Sequence, residues 1–182
     1  MEIDLEKEKN LVERAKHDSD AFGLLYARNY DKIFGYILKR TASLSVAQDI
    51  TSDVFFKALK NIGKFRWSGV PFSAWLYRIA SNEFATHYRK NTRQQSYIKE
   101  LYQSGSSSEE LVEAGNKLRE YEDFLVLHDS IAQLPLKYQE VITLRYFEDK
   151  QIKEIGQILG KSEGTIKSLL HRGLERLRKT MD

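Results

Sequence analysis

The sequence predicts an all-α protein, two small helical domains joined by a flexible linker, with a helix-turn-helix in the second. Three observations carry this. Gly 10 and Pro 2 among 182 residues are too few turn-makers for a β-sandwich or barrel. Apolar residues recur at spacings of three and four in both halves of the chain. Between Asn91 and Lys117 the sequence turns polar, including Gln103 to Ser108 (QSGSSS), and sustains no apolar period. The expected division is 1–93, a linker at 94–118, and 119–182, each outer part large enough for a small helical fold. Hydrophobic residues at 41% and aromatic residues at 12% supply core material.

Taken in order, Met1 to Lys9 is densely charged and lacks the apolar stretch of a signal peptide. No apolar run approaches the ~20 residues of a membrane span, so a soluble, cytoplasmic chain without membrane insertion is expected. Cys 0 excludes disulfides and cysteine nucleophiles. Phe22, Tyr26, Tyr30, Ile33 and Ile37 form one helical face. A second helix starts at Ser45 with Gln48 completing a capping box, and its core face is Ile50, Val54, Phe55, Ala58 and Ile62. Gly63 to Val70 is a loop. A third helix runs from about Pro71 to about Arg89 and buries Phe72, Leu76, Ile79 and Ala80. In the second half, helices are expected over Arg119–Gln133, from Pro135 through Val141 and Ile142 to Phe147, and around Ile152, Ile155 and Leu159. The break Gly160-Lys161-Ser162 precedes a last helix from Glu163 to about Lys179.

The net charge of +3 is unevenly spread. Residues 57–93 carry +7 and residues 150–182 carry +4, while 120–149 carry −5 and 1–20 carry −3. Two basic blocks separated by neutral and acidic sequence suggest two phosphate-neutralising surfaces, against the alternative of solvated helix faces.

Each block has its own pattern. In the last helix, Ile166, Leu169, Leu170, Gly173, Leu174 and Leu177 share one side. The other side, free of large apolar residues, offers Thr165, Lys167, Ser168, His171 and Arg172, the short and basic donors of a major-groove reader. Ser162 is its N-cap. An ordinary helical hairpin with a charged outer face fits the same pattern. In the first block, Phe65, Arg66 and Trp67 place aromatics among cations in a loop, a composition suited to stacking unpaired bases. Arg78, Asn82, Ala85 and Arg89 form a stripe on the following helix, suited to a single-strand backbone and one base edge. The competing reading has Trp67 and Trp75 capping the core, with the arginines solvated. On the second helix, Asp49, Asp53, Phe56 and Lys60 lie on the polar side, so Phe56 is an exposed aromatic between carboxylates, fit for a protein partner with basic residues around an apolar socket.

These pieces resemble the extracytoplasmic-function group of bacterial RNA polymerase sigma factors. The segments that carry the resemblance are Ala47 to Leu59 (AQDITSDVFFKAL), Phe72 to Asn82 (FSAWLYRIASN), Leu134 to Val141 (LPLKYQEV), and Ile155 to Ser168 (IGQILGKSEGTIKS) followed by His171 and Arg172. The resemblance implies that Asp49, Asp53 and Phe56 dock on the clamp helices of the largest polymerase subunit. It assigns Phe65, Arg66 and Trp67 to a loop capturing bases of the minus-ten element and Asn82 to a flipped base, and the stripe pattern adds Arg78 and Arg89 to the same strand. It gives the minus-thirty-five duplex to Lys167, Ser168, His171 and Arg172, to which the helix pattern adds Thr165, and leads the linker towards the RNA exit channel. Core RNA polymerase and promoter DNA are the implied partners, with an anti-sigma factor as a further one and no cofactor. Ser52 stands where the family often has Gln or Glu, and Leu169 where a basic residue is frequent; the second departure bears on promoter sequence more than on function, because a lost cation removes one contact and leaves the docking geometry alone.

The alternative function is a helix-turn-helix transcriptional regulator acting without polymerase docking. It accounts for residues 150–179 and leaves the +7 block and Phe56 unused. No enzymatic activity is expected, because His17, His87, His128 and His171 are scattered and Asp49 with Asp53 has no third metal ligand nearby.

Overall fold

A computed structural model describes residues 5–98 and 127–181. Its elements are α1 (Leu5–Ala15), α2 (Ser19–Thr41), α3 (Leu44–Asn61) ending in a 3-10 turn (Ile62–Lys64), α4 (Phe72–Ile98), α5 (127–132), α6 (Leu136–Ile142) continuing into a π turn (Thr143–Phe147), α7 (Ile152–Leu159) and α8 (Glu163–Met181). Among the described residues there is no strand.

Helix α1 has no counterpart in the sequence expectations. Its apolar residues are few, yet Leu11, Val12 and Ala15 are buried, and Glu8 accepts the Phe72 backbone N–H at 3.1 Å, satisfying one orphan donor at the start of α4. At the start of α2, Asp18 accepts the Asp20 N–H at 2.9 Å. Bonds to the Asp20 and Ala21 amides are the main reason its carboxyl titrates below the usual range. Helix α2 closes at Ala42, whose φ of 46° puts an alanine in the left-handed region, and α3 begins directly after Ser43. The expected capping box at Ser45 and Gln48 is corrected by this register. Ser45 is already inside the helix, the N-cap is Ser43, and Ser43 makes no side-chain capping bond. Because left-handed backbone costs a non-glycine residue about 1 kcal/mol, Ala42→Gly is expected to raise the melting temperature by about 2–4 °C, read by calorimetry.

The first module packs α2, α3 and α4 around Ile33, Ile37, Val54, Phe72 and Leu76, all fully buried. Of the expected α2 face, Phe22, Ile33 and Ile37 are buried, whereas Tyr30 is half-buried and Tyr26 exposed. Those two rings lie over Phe55, at 6.2 and 4.6 Å, on the outer side of the α2–α3 contact. Helix α4 runs to Ile98 rather than stopping near Arg89, since nothing between them is Gly or Pro. Residues 94–98 of the expected linker are thus helical, and 99–118, like the 119–126 part of the next expected helix, lies outside the described residues.

In the second module α6 and α8 pack together around Val141, Leu144, Ile155 and Ile166. Buried Gln139 donates to the carbonyls of Ala132 and Leu134, at 3.1 and 2.7 Å, and so closes the end of α5. The buried apolar cluster runs without interruption from the first module into the second.

Candidate nucleic-acid interface

The helix-turn-helix is built by α7, the turn and α8. At the start of α7 the Glu154 carboxylate accepts the Gln151 N–H at 2.8 Å. Gly160 ends the helix at φ 64°, and the Gly160 and Lys161 amides both turn back to the Gly156 carbonyl. This folds the turn against α7 so closely that a Cβ at Gly156 would lie 2.8 Å from the Lys161 carbonyl oxygen. Ser162 then caps α8, accepting the Thr165 N–H at 3.3 Å. Ile166, Leu170, Gly173 and Leu177 face inwards; Leu169 is half-buried and Leu174 exposed, so the apolar side is narrower than the sequence suggested. Thr165, Lys167, Ser168, His171 and Arg172 are all exposed on the opposite side. Glu175 Oε2 lies 3.5 Å from His171 Nδ1, with both side chains exposed.

The second candidate surface surrounds the loop between α3 and α4. Phe65 and Trp67 are half-buried and Arg66 is exposed. The Phe65 ring stands 4.8 Å from Trp75 and 5.6 Å from Phe72, so the aromatics both roof the core and present an outer edge. The loop forms the wall between two concavities. One, of about 390 Å³, is lined by Lys57, Asn61, Lys64, Phe65, Trp75, Ile79, Asn82 and Glu83. The other, of about 270 Å³, includes Arg66, Ser68, Ala74, Trp75 and Arg78, and also Gln157 of α7. Asn82 is exposed at the first, and Arg78 and Arg89 are exposed along the same helix, with Ala85 half-buried between them. Lys57, Asn61, Lys64 and Glu83 were not singled out from sequence. The available signal was the spacing of Lys57, Asn61 and Lys64 along one helical side, and Glu83 as the single acid of the +7 block. Lys57 and Glu83 form an ion pair from α3 to α4, and Asn61 donates to the Lys57 carbonyl at 2.8 Å, so the groove floor is fixed before any ligand arrives.

The third surface is the outer side of α3. Asp49, Asp53, Phe56 and Lys60 are exposed, Phe56 at 64%. Leu59, another exposed apolar side chain three residues on, extends the patch beyond what the sequence pattern indicated.

The fold and these surfaces define a two-module helical protein with a helix-turn-helix reader and a separate aromatic, basic groove. Residues 25–94 match the family model described as Sigma-70 region 2, and residues 124–177 the one described as Sigma-70, region 4. Among curated relatives, the ECF RNA polymerase sigma factor SigW of Bacillus subtilis is 33% identical over 181 residues, covering 95% of each chain. The ECF RNA polymerase sigma factor BldN of Streptomyces coelicolor is 33% identical over 175 residues, covering 92% of this chain, which spans 63% of that longer protein. The solved structure of CnrH in complex with the cytosolic domain of CnrY has the same fold, with a TM-score of 0.69 at 20% identity, covering 96% of this chain and 97% of the other. The chain belongs to the ECF RNA polymerase sigma factors.

Proposed function

We propose that the chain directs core RNA polymerase to specific promoters through three surfaces working together. The outer side of α3, with Asp49, Asp53 and Phe56, docks on the polymerase. The exposed side of α8 enters the major groove of the minus-thirty-five element. The loop and α4, with Phe65, Arg66, Trp67, Arg78, Asn82 and Arg89, hold the unpaired minus-ten strand. The observation that carries the reading is the order of the two family matches: region 2 falls on the module with the aromatic groove and the exposed Phe56, region 4 on the helix-turn-helix.

The physical logic is a division of labour. Duplex binding through α8 fixes register by phosphate contacts and reads a few base edges. Unpairing bases costs a few kcal/mol each, and stacking on the loop aromatics with backbone contacts to the arginines offsets that cost. The chain contributes recognition and DNA opening, and the polymerase performs the synthesis. No described helix is long and apolar enough to cross a membrane, and the reading places the protein with the DNA in the cytoplasm.

The decisive experiment is reconstitution. Purified core polymerase with this protein initiates from a promoter that core alone ignores. If the protein binds duplex DNA without associating with core or redirecting initiation, the reading falls in favour of a regulator that acts without docking. Within the reading, Arg172→Ala weakens minus-thirty-five duplex binding by about 1–3 kcal/mol if Arg172 reads a base, measured by fluorescence anisotropy at fixed salt. Unchanged affinity in a normally folded variant removes Arg172 from the interface.

A further inference from the structure

Arg40, near the end of α2, is a buried cation that no recognition role uses. Its guanidinium lies over the Phe84 ring, and Nη1 donates to the Tyr36 hydroxyl at 2.8 Å. Nε and Nη2 are buried and meet no acceptor among the described residues. These two nitrogens form one side of the guanidinium fork, the edge that grips an anion through paired N–H bonds. Leaving such an edge without a partner costs more than leaving a neutral donor unpaired, because a charge is stranded as well.

Arg40 lines a cavity of about 10 Å³, together with Lys39 of α2, His128 of α5, Gln139 of α6, and Thr143 and Phe147 of the π turn. Its charge, its hydrogen-bonding capacity and its size each narrow what it takes. The wall carries two cations and no acid. Lys39 is already paired with Glu148 at 3.0 Å, which leaves Arg40 as the charge to be met. Glu140 feels the Arg40 charge but leaves both nitrogens without an acceptor. The carbonyls of Arg40, Ala132 and Phe147 already accept from His128, Gln139 and Lys39, at 3.2, 3.1 and 2.9 Å. A water molecule would therefore meet donors and few acceptors for its own protons, whereas a halide accepts only. A volume of about 10 Å³ suits a single heavy atom and shuts out phosphate, sulfate or a carboxylate. We propose that this cavity is a binding site for one halide ion, chloride in the cell, held by the Nε–H and Nη2–H of Arg40. Its wall is drawn from α2 and from α5, α6 and the π turn, so the bound ion adds to the hold between these elements.

The test uses the full-length chain in sodium glutamate, with sodium chloride exchanged in at constant ionic strength. Two readouts are followed, the line width of the chloride NMR signal and the melting temperature. Saturable broadening is expected, reversed by bromide and not by sulfate. Chloride at about ten times its dissociation constant is expected to raise the melting temperature by about 3–6 °C over glutamate. Arg40→Met, which keeps an unbranched side chain and removes the fork, is expected to lose both the broadening and the difference in melting. Should Arg40→Met fail to fold by circular dichroism, Arg40→Lys, which keeps the charge and loses the fork, carries the same comparison. Wild-type protein that shows no saturable broadening and melts alike in both salts overturns the site, with water as the occupant. Broadening that persists in a folded Arg40 variant places the halide elsewhere and overturns it equally.

Discussion

Gly156→Val is expected to cost about 3 kcal/mol of stability and to abolish measurable minus-thirty-five binding. Two effects oppose each other at this position. A side chain improves helix propensity by up to about 1 kcal/mol over glycine, less for a β-branched residue. Against that, the added Cβ would sit 2.8 Å from the Lys161 carbonyl oxygen, which is backbone and cannot swing aside like a flexible side chain. Overpacking of this kind costs about 1–3 kcal/mol, and the two further methyl groups of valine take it to the upper end. Relief requires the turn at Gly160 to Ser162 to move, which tilts the first turn of α8, where Thr165, Lys167 and Ser168 lie. A melting temperature lowered by about 6–12 °C, with oligonucleotide binding at the first module intact, is the expected pair of results. Wild-type duplex affinity in the variant means that the turn does not set the orientation of α8.

Phe56→Ala is expected to weaken association with core polymerase by at least about 2 kcal/mol, close to thirtyfold, while stability changes by less than about 0.5 kcal/mol. The contrast with its neighbour makes this informative. Phe55 is 4% exposed and packs on Tyr26 and Tyr30, so Phe55→Ala leaves a cavity and costs about 3–5 kcal/mol of folding stability. Phe56, at 64% exposed, leaves none. Surface plasmon resonance with immobilised core enzyme, alongside thermal melts of the free variants, separates the two. A large drop in melting temperature for Phe56→Ala, with unchanged polymerase affinity, would sink the docking assignment.

The outer faces of the helices were legible in the sequence because periodicity reports which side of a helix meets water. Phe56 stood out as an apolar residue among Asp49, Asp53 and Lys60, and is exposed as expected. The side of α8 carrying Lys167, His171 and Arg172 followed from the same arithmetic. What periodicity does not report is the partner on the buried side. Tyr77 meets Glu148 across 71 positions of sequence, and Lys57 meets Glu83 across 26, so the contact between the modules and the groove floor needed the three-dimensional arrangement. Helix α1 was missed for a different reason. Its buried positions, Leu11, Val12 and Ala15, are short and set among charges, and its place is secured by a tertiary capping bond that the Phe72 N–H donates to Glu8. Tyr26 and Tyr30 fell on the expected side of α2 but lie over the rim of the core rather than inside it.

Arg40 lies at the boundary between the two modules. It is 7% exposed, with its guanidinium 3.7 Å above the Phe84 ring and one N–H donated to the Tyr36 hydroxyl at 2.8 Å. Its Nε and second terminal nitrogen find no acceptor among the described residues, and it lines a small cavity at the module boundary with His128, Ile131 and Phe147. Glu140, the nearby acid, is itself buried enough for its carboxyl to titrate above the usual range despite the pull of Arg40. A buried cation left short of partners is a standing debt that hydration would cancel. Unpaired donors at this boundary make the contact between the two modules weaker than its buried area alone would give.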